Sequence, residues 1–405
     1  MGGGLLQLVA HGAQDIYLTG DPQITYFKVV YRRHTNFSME SIQQQFQSEV
    51  NNSGGKTTCI ISRNGDLVSG MFLQFKLAKG NLSDQGFVSY IKSVEIEIGG
   101  QKIDKHYGRW LDIWSDLTND ANKDDALATM LGNKSGTGPT VDASTTASDP
   151  AYAILPLSFW FNKNYGLALP LIALQYHEVK LNLDLEANTN WSAVTLWVDY
   201  IFLDTEERKR FAQMSHEYLI DQVQYGGSED FTNSSPYTTG TVDRFALHFN
   251  HPVKELIWVA ENSSAIGANT FKVDGNGANN NTAVPAGTRQ IDINNVKLQL
   301  NGHDRFYPRS GEYFRLQQPY QFHSTVPPSQ DIFVFSFALR PEEHQPSGTC
   351  NFSRIDSCHL TLTRGGRMPT GSLANRYLSD KLYIYAINYN VLRIASGMAG
   401  LAYSN

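Results

Sequence analysis

One short motif contains residue types that could bind a nucleotide phosphate. SGGKTT (Ser53–Thr58) has the glycines, the lysine and the threonine of a phosphate-binding loop. The pattern GxxxxGK[ST] needs a further glycine where Val50 stands, so the loop that would surround the phosphates is incomplete. We therefore predict a glycine-rich turn between strands and no nucleotide cofactor.

Histidines next to acidic residues could hold a metal ion. Two His-Glu pairs, at His177 and His216, begin like the zinc motif HExxH, but apolar residues stand four positions later. His248 and His251 lie close in sequence without a carboxylate as third ligand, so we predict structural roles for them. No GxSxG motif occurs either. We predict no metal site, no cofactor and no catalytic residue.

Asn-X-Ser/Thr sequons could accept N-linked glycans. A chain rich in Asn, Ser and Thr contains several by chance, so each is only a candidate. Another sequon lies at Asn190, besides the five that we take as candidate sites. These five are Asn81, Asn133, Asn233, Asn262 and Asn280.

The three cysteines, Cys59, Cys350 and Cys358, are too few for a disulfide scaffold, and none has CxxC spacing. This usage predicts a chain made in a reducing compartment.

The net charge is -6, and the densest cationic stretch, Arg208–Arg210, directly follows two glutamates. A protein that grips DNA usually shows a basic stripe, so we predict no direct contact with nucleic acid.

The elements that would position such residues read as short strands. Aromatic residues make up 12 % of the chain, which favours strands over helices. In SVEIEIGG (Ser93–Gly100) the apolar Val94, Ile96 and Ile98 alternate with polar residues, as in a half-buried strand of an antiparallel sheet. Many such runs separated by turn residues predict a sandwich, a barrel or a jelly roll.

An internal repeat indicates two copies of one β domain. Five pairs of segments recur in the same order, at offsets that drift as loop insertions would require. The pairs are 94–101 with 296–303, 64–75 with 250–260, 159–161 with 335–337, 178–183 with 358–362, and 196–204 with 382–390.

The junction between the copies is a charged stretch, Thr205 to Met214, that could form a short helix. We predict four regions: an N-terminal arm (1–25), a first jelly roll (26–204), a linker (205–216) and a second jelly roll (217–405).

Several longer segments resemble one family. They are GDPQITYFKVVYRRHTNFSMESIQQ near the start, PLSFWFNKNYGLALPLIALQYHEVKL (156–181), WVDYIFLDTEERKRFAQMSHEYLI (197–220), QPSGTCNFSRID (345–356) and YAINYNVLRIASGMAGLAYSN (385–405). In these segments the chain resembles the major capsid proteins of nucleocytoplasmic large DNA viruses, most closely the algal, chlorella-virus-like type.

The resemblance implies an all-β fold of two tandem eight-stranded antiparallel jelly rolls. It also implies a homotrimer that forms a pseudo-hexagonal capsomer of an icosahedral shell, with neighbouring capsomers, minor capsid proteins and penton proteins as partners. An internal viral membrane would be an indirect partner. We expect the chain in the virion capsid after assembly in the host-cell cytoplasm, and we expect no enzyme activity.

Three alternatives remain open at this point. A glycan-binding β-sandwich would need an exposed aromatic or metal-assisted sugar site, and a β-sandwich hydrolase would need two carboxylates facing each other in a cleft. A minor capsid or penton role is the third, and the duplication argues against it.

Overall fold

A computed structural model describes ten stretches of the chain, and it separates residues 1–36 from residues 37–405 as two compact units. The described residues are 3–10, 12–48, 53–77, 90–131, 152–187, 191–231, 241–261, 293–327, 332–364 and 381–403.

The first unit has two short helices, α1 (Gly3–Val9) and α2 (Ile16–Thr19), and no strand among its described residues. Its large apolar side chains are exposed throughout, from Leu5 to Tyr31. The unit therefore forms no hydrophobic core of its own.

The second unit begins with nine strands that form two antiparallel sheets. They are β1 (Phe37–Gln44), β2 (Gly55–Ile60), β3 (Leu67–Leu77), β4 (Ile91–Ile98), β5 (Gln101–Tyr107), β6 (Tyr152–Pro156), β7 (Leu169–Pro170), β8 (Val179–Leu185) and β9 (Trp191–Leu203). One sheet has the order β1-β9-β3-β6, with β7 beside β3, and the other has the order β2-β8-β4-β5. We call these two sheets the first barrel.

Eleven further strands form two more antiparallel sheets. They are β10 (His216–Asp230), β11 (Thr241–Ala246), β12 (Pro252–Glu261), β13 (Ile293–Leu300), β14 (His303–Asp304), β15 (Arg309–Ser310), β16 (Ile332–Ser336), β17 (Cys350–Asn351), β18 (Cys358–Arg364), β19 (Lys381–Ala395) and β20 (Met398–Leu401). Their orders are β10-β19-β12-β16 and β11-β18-β13-β14, with the three remaining short strands at the side. These sheets are the second barrel.

The two barrels have the same strand order. In one pair of sheets, the order β1-β9-β3-β6 of the first barrel corresponds to the order β10-β19-β12-β16 of the second. In the other pair, β2-β8-β4-β5 corresponds to β11-β18-β13-β14. Each barrel is thus an eight-stranded antiparallel jelly roll with short extra strands. The predicted fold class, two tandem jelly rolls, is confirmed.

Four of the five repeat pairs lie on equivalent strands of the two barrels: β4 with β13, β3 with β12, β8 with β18, and β9 with β19. The pairing of 159–161 with 335–337 is wrong. Residues 160–163 form a short helix, α5 (Trp160–Lys163), whereas Phe335 lies in β16, whose counterpart is β6. Three clustered aromatic residues carry no strand periodicity, and this pair therefore could not be aligned reliably.

Alternation along the strands builds the cores. Val94, Ile96 and Ile98 are fully buried, as predicted, and pair with Leu183, Leu181 and Val179 of β8. A one-residue slip would turn every one of these side chains toward solvent, so the apolar pattern fixes the register.

The helices of the second unit occupy the connections between strands. They are α3 (Gly108–Thr118), α4 (Ala121–Leu131), α5, α6 (Thr205–Gln213) and α7 (Gln318–Phe322). The predicted helix in the linker is confirmed as α6, whereas α3 and α4 were not predicted. Among the described residues, no helix has the length and hydropathy to cross a membrane.

Candidate functional site: the contact between the barrels and the linker groove

The residues singled out as candidate glycan acceptors cannot be placed. Asn81, Asn133, Asn233, Asn262 and Asn280 all lie outside the described residues. Their prediction stays open.

The glycine-rich motif is a turn that leads into β2. Gly54 and Gly55 have φ angles of 68° and 116°, in the left-handed range that glycine adopts without strain. A Cβ atom on Gly54 would lie 2.6 Å from the backbone nitrogen of Ala187. The glycines are therefore explained by the turn and by this close approach.

His177 connects the two barrels. Its Nδ1 accepts a hydrogen bond from the backbone N–H of Ala399 in β20, at 3.1 Å. The backbone N–H of Tyr176 donates to the Gly397 carbonyl at 3.0 Å. Gly397 has a φ of 80°, and a Cβ atom there would lie 2.7 Å from the Tyr176 ring. These two hydrogen bonds and the close packing at Gly397 hold the hairpin β19–β20 against the first barrel.

His248 and His251 are not brought together as ligands. His251 is buried and its backbone N–H donates to the Ser353 hydroxyl at 2.8 Å, whereas His248 is exposed. In the part of the chain that the structure describes, no group of three His, Cys, Asp or Glu residues could hold a metal ion.

Helix α3 of the first barrel packs on the second barrel. Trp110 and Trp114 are buried and stacked, with ring centroids 5.5 Å apart, and the Trp110 ring lies 5.3 Å from that of Tyr385 in β19. The Arg109 guanidinium lies 3.8 Å from the centroid of the Tyr383 ring, within the range of a cation–π interaction. Ile257, Val259, Ile332, Val334 and Ile387 complete this apolar cluster.

Buried charges border this cluster. His323 Nε2 lies 3.0 Å from Glu255 Oε2, and both side chains are fully buried. His323 Nδ1 lies 3.0 Å from Glu342 Oε1. Burial alone would lower the pKa of His323, but the carboxylates of Glu255 and Glu342 outweigh it and raise this pKa to about 9. His323 therefore carries a positive charge at neutral pH.

A second buried ion pair lies between β12 and β10. Lys254 Nζ is 2.9 Å from Asp221 Oδ2, and the Lys254 side chain is almost completely buried. Burial, together with the nearby carboxylates of Asp221 and Glu255, raises the pKa of Tyr389 to about 12. The tyrosine thus stays neutral at physiological pH.

Asp104 also joins the two barrels. The side chain of Asp104 is buried and lies 2.9 Å from His106 Nε2, while its Oδ1 accepts from the backbone N–H of Val223 at 3.1 Å. The Gln222 amide donates to the Ile103 carbonyl. These contacts fix β5 against β10, so the two barrels are joined by polar contacts as well as by the α3 cluster.

The linker helix is tied to the first barrel. Asp66 Oδ2 accepts from Arg208 Nη2 at 2.9 Å and from the backbone N–H of Leu203 at 2.8 Å. The Asp204 side chain accepts a hydrogen bond from the Thr205 N–H at 2.8 Å. Acidic residues follow in the first turn of α6, where their negative charge interacts favourably with the helix dipole. The helix thus begins at a defined residue and holds a fixed position.

A groove runs along the linker where α6 meets the start of β10. Its volume is about 430 Å³, and Phe211, Met214, His216 and Tyr218 form its apolar side. His216, the other His-Glu histidine, is stacked on the Phe211 ring at 5.2 Å, and its Nε2 lies 2.8 Å from the Phe211 carbonyl oxygen. This histidine therefore helps to build the groove wall.

Comparison with known proteins decides which family has this arrangement. A family model for the N-terminus of the major capsid protein matches residues 25–204, and one for the large eukaryotic DNA virus major capsid protein matches residues 207–400. Two curated relatives are major capsid proteins from Pyramimonas orientalis virus, 47 % identical, and Paramecium bursaria Chlorella virus 1, 44 % identical. Both alignments cover the whole of this chain and of the relative.

The chain belongs to this major capsid protein family. The solved PBCV-1 virus capsid superposes on it with a TM-score of 0.80 and 39 % identity, covering 94 % of this chain and all of the other. The Faustovirus major capsid protein shares the fold, with a TM-score of 0.69 at 14 % identity. The predicted family is confirmed, and the capsid protein is a component of the virion shell.

Sequence reasoning missed most of the residues that join the barrels of this capsid protein. Lys254 and Glu255 interrupt an otherwise apolar strand, β12, and such a pair in a central strand is a detectable signal of buried ion pairs. The pairing of Glu255 with His323, which lies 68 positions later in the chain, had no local signal.

Proposed function

We propose that three copies of this chain form a capsomer, and that these capsomers tile the icosahedral shell of a large double-stranded DNA virus. The observation that carries the proposal is the shared strand order of the two barrels. A threefold trimer of a duplicated chain presents six similar barrels, so hexagonal tiling needs only one kind of subunit. The rigid contact between the barrels would keep their spacing constant from one capsomer to the next.

The same proposal covers partners and place of assembly. We infer contacts with neighbouring capsomers, minor capsid proteins and penton proteins, an indirect relation to an internal viral membrane, and no direct contact with nucleic acid. Assembly takes place in the host-cell cytoplasm, and the protein works as a structural component without enzyme activity. Family membership at this level of identity supports the structural role over the glycan-binding and hydrolase alternatives.

We also keep the division into an arm (1–25), two jelly rolls (26–204 and 217–405) and a linker (205–216). The strand pairings support it, because each joins two strands of the same barrel. The five sequons remain candidates for glycans on the virion surface.

Electron microscopy of the purified oligomer tests the capsomer. Class averages along the threefold axis are expected to show a pseudo-hexagonal outline with six barrel-sized densities. The six densities should alternate between two shapes, because the loops of the two barrels differ in sequence. Particles with three densities, or without threefold symmetry, would contradict the proposed capsomer.

A further inference from the structure

The groove along the linker has an acidic as well as an apolar side. Glu207 on α6 and Glu217 on β10 line it, with Arg210 as the one cation among its lining residues. Glu217 is paired with Arg393 at 2.8 Å, whereas Glu207 has no such ion pair in the part of the chain that the structure describes. Among the described residues, Glu207 Oε2 is buried and accepts no hydrogen bond.

A buried carboxylate oxygen without a hydrogen bond costs free energy, and a cation bound at the Glu207 carboxylate would offset this cost. Met214 at the rim is 54 % exposed, so the apolar side is open to a partner. The volume of about 430 Å³ lies within the range of roughly 300–1,000 Å³ typical of binding sites. The groove therefore suits a segment that presents aromatic and cationic side chains together.

The chain itself contains such a segment. Residues 24–34 read ITYFKVVYRRH, with three cationic side chains and no acidic one. Their large apolar side chains are unburied: Tyr26 is 91 % exposed, Phe27 is 98 % exposed and Tyr31 is 86 % exposed. The stretch forms no helix and no strand. Aromatic and β-branched residues on both faces are typical of a segment that is buried on binding.

We propose that residues 24–34 of one copy dock in the linker groove of a second copy, with an aromatic ring against Phe211 and Met214 and a cation at Glu207. Net charge favours this partner. Three of the 33 basic and two of the 39 acidic residues precede Phe37, so residues 37–405 carry 30 basic and 37 acidic side chains, a net charge of -7. The basic segment is thus attracted to the body of another copy.

This inference rests on the proposed self-assembly and names a contact that would hold copies together. Phe27 replaced by the photo-crosslinking residue p-benzoylphenylalanine reports the docking site in the full chain. ¹⁵N-labelled and unlabelled chains are mixed before assembly, so that mass spectrometry separates cross-links between copies from those within one copy. The same residue placed at Tyr17, which is 92 % exposed and lies outside the basic segment, is the positional control.

Cross-links from position 27 are expected on residues 205–218 of a different copy. Glu207→Lys should lower their yield about tenfold, the loss that follows from removing a charge-assisted hydrogen bond. Glu206→Lys is the matched control: Glu206 is the neighbouring acidic residue in the first turn of α6, its side chain is 85 % exposed, and it does not line the groove. The cross-link yield of the Glu206→Lys variant should stay close to that of the parent protein.

Cross-links confined to one chain, cross-links to another surface, or equal yields in the two variants would overturn the docking proposal. Light scattering on the same sample separates this failure from a failure of the proposed function. A trimer without cross-links between copies rejects the docking contact alone, whereas a monomer rejects both.

Discussion

Replacing Trp110 by alanine is expected to lower the free energy of unfolding by about 3–5 kcal/mol, the usual cost of removing a large buried aromatic side chain. Trp110 is 1 % exposed and packs between Trp114 and Tyr385 at the contact of the two barrels. The variant would leave a cavity that the surrounding strands cannot close, because their sheet pairing holds them in place. Urea unfolding followed by circular dichroism gives the free energy.

Tyr307→Ala is the control for Trp110→Ala, because Tyr307 is aromatic and 85 % exposed. Its effect should remain within about 0.5 kcal/mol. A loss below about 1 kcal/mol for Trp110→Ala would mean that α3 contributes little to the contact between the barrels.

Replacing His323 by alanine is expected to cost about 3–5 kcal/mol, because it leaves the fully buried Glu255 without its cation. His303→Ala is the control, since His303 lies in the exposed strand β14. The free energies of unfolding at neutral pH should separate the two variants clearly. Equal stability would show that the Glu255–His323 pair has no net effect.

The same pair predicts a dependence of stability on pH. The pKa of His323 rises from 6.5 to about 9 on folding, so its contribution is complete below pH 6.5 and is lost as the pH rises toward 9. The loss is on the order of 3 kcal/mol. The double variant Glu255→Gln, His323→Gln removes both charges, so its stability should fall less over this pH range. Parallel curves for the two proteins would contradict the assignment.

The sequence predicted the strands far better than it predicted the contact between the two barrels. Val94, Ile96 and Ile98 alternate because one face of β4 is buried and the other is half exposed, and that pattern is local. Strands β12 and β19 are covered on both faces, by their own barrel core and by α3, so their runs are nearly all apolar. Such runs identify a buried strand but not what covers it.

Helix α3 illustrates the same limit. Gly108–Thr118 begins directly after β5 and carries two buried tryptophans, Trp110 and Trp114. Its helical form was missed because the apolar face of GRWLDIWSDLT is defined by a partner from the other barrel, more than 100 residues later in the chain. Tertiary packing of this kind decides a short helix more than local propensity does.

The roles of the histidines followed the same rule. The two His-Glu pairs resemble the start of a zinc motif but lack its second histidine. In the structure His177 accepts a hydrogen bond between the barrels, and His216 forms part of a groove wall. His323, the most strongly perturbed histidine among the described residues, stands in no motif. Its environment is built by β12 and by the segment around Glu342, which only the fold brings together.

The mass of the purified protein, measured by light scattering after size exclusion, tests the central claim most directly. Three chains of 45.2 kDa give a mass of about 136 kDa before any glycan is added. We predict a single species of that mass that persists on dilution, as expected for an obligate interface. A stable monomer at all concentrations would contradict the trimeric capsomer as the building block of the shell.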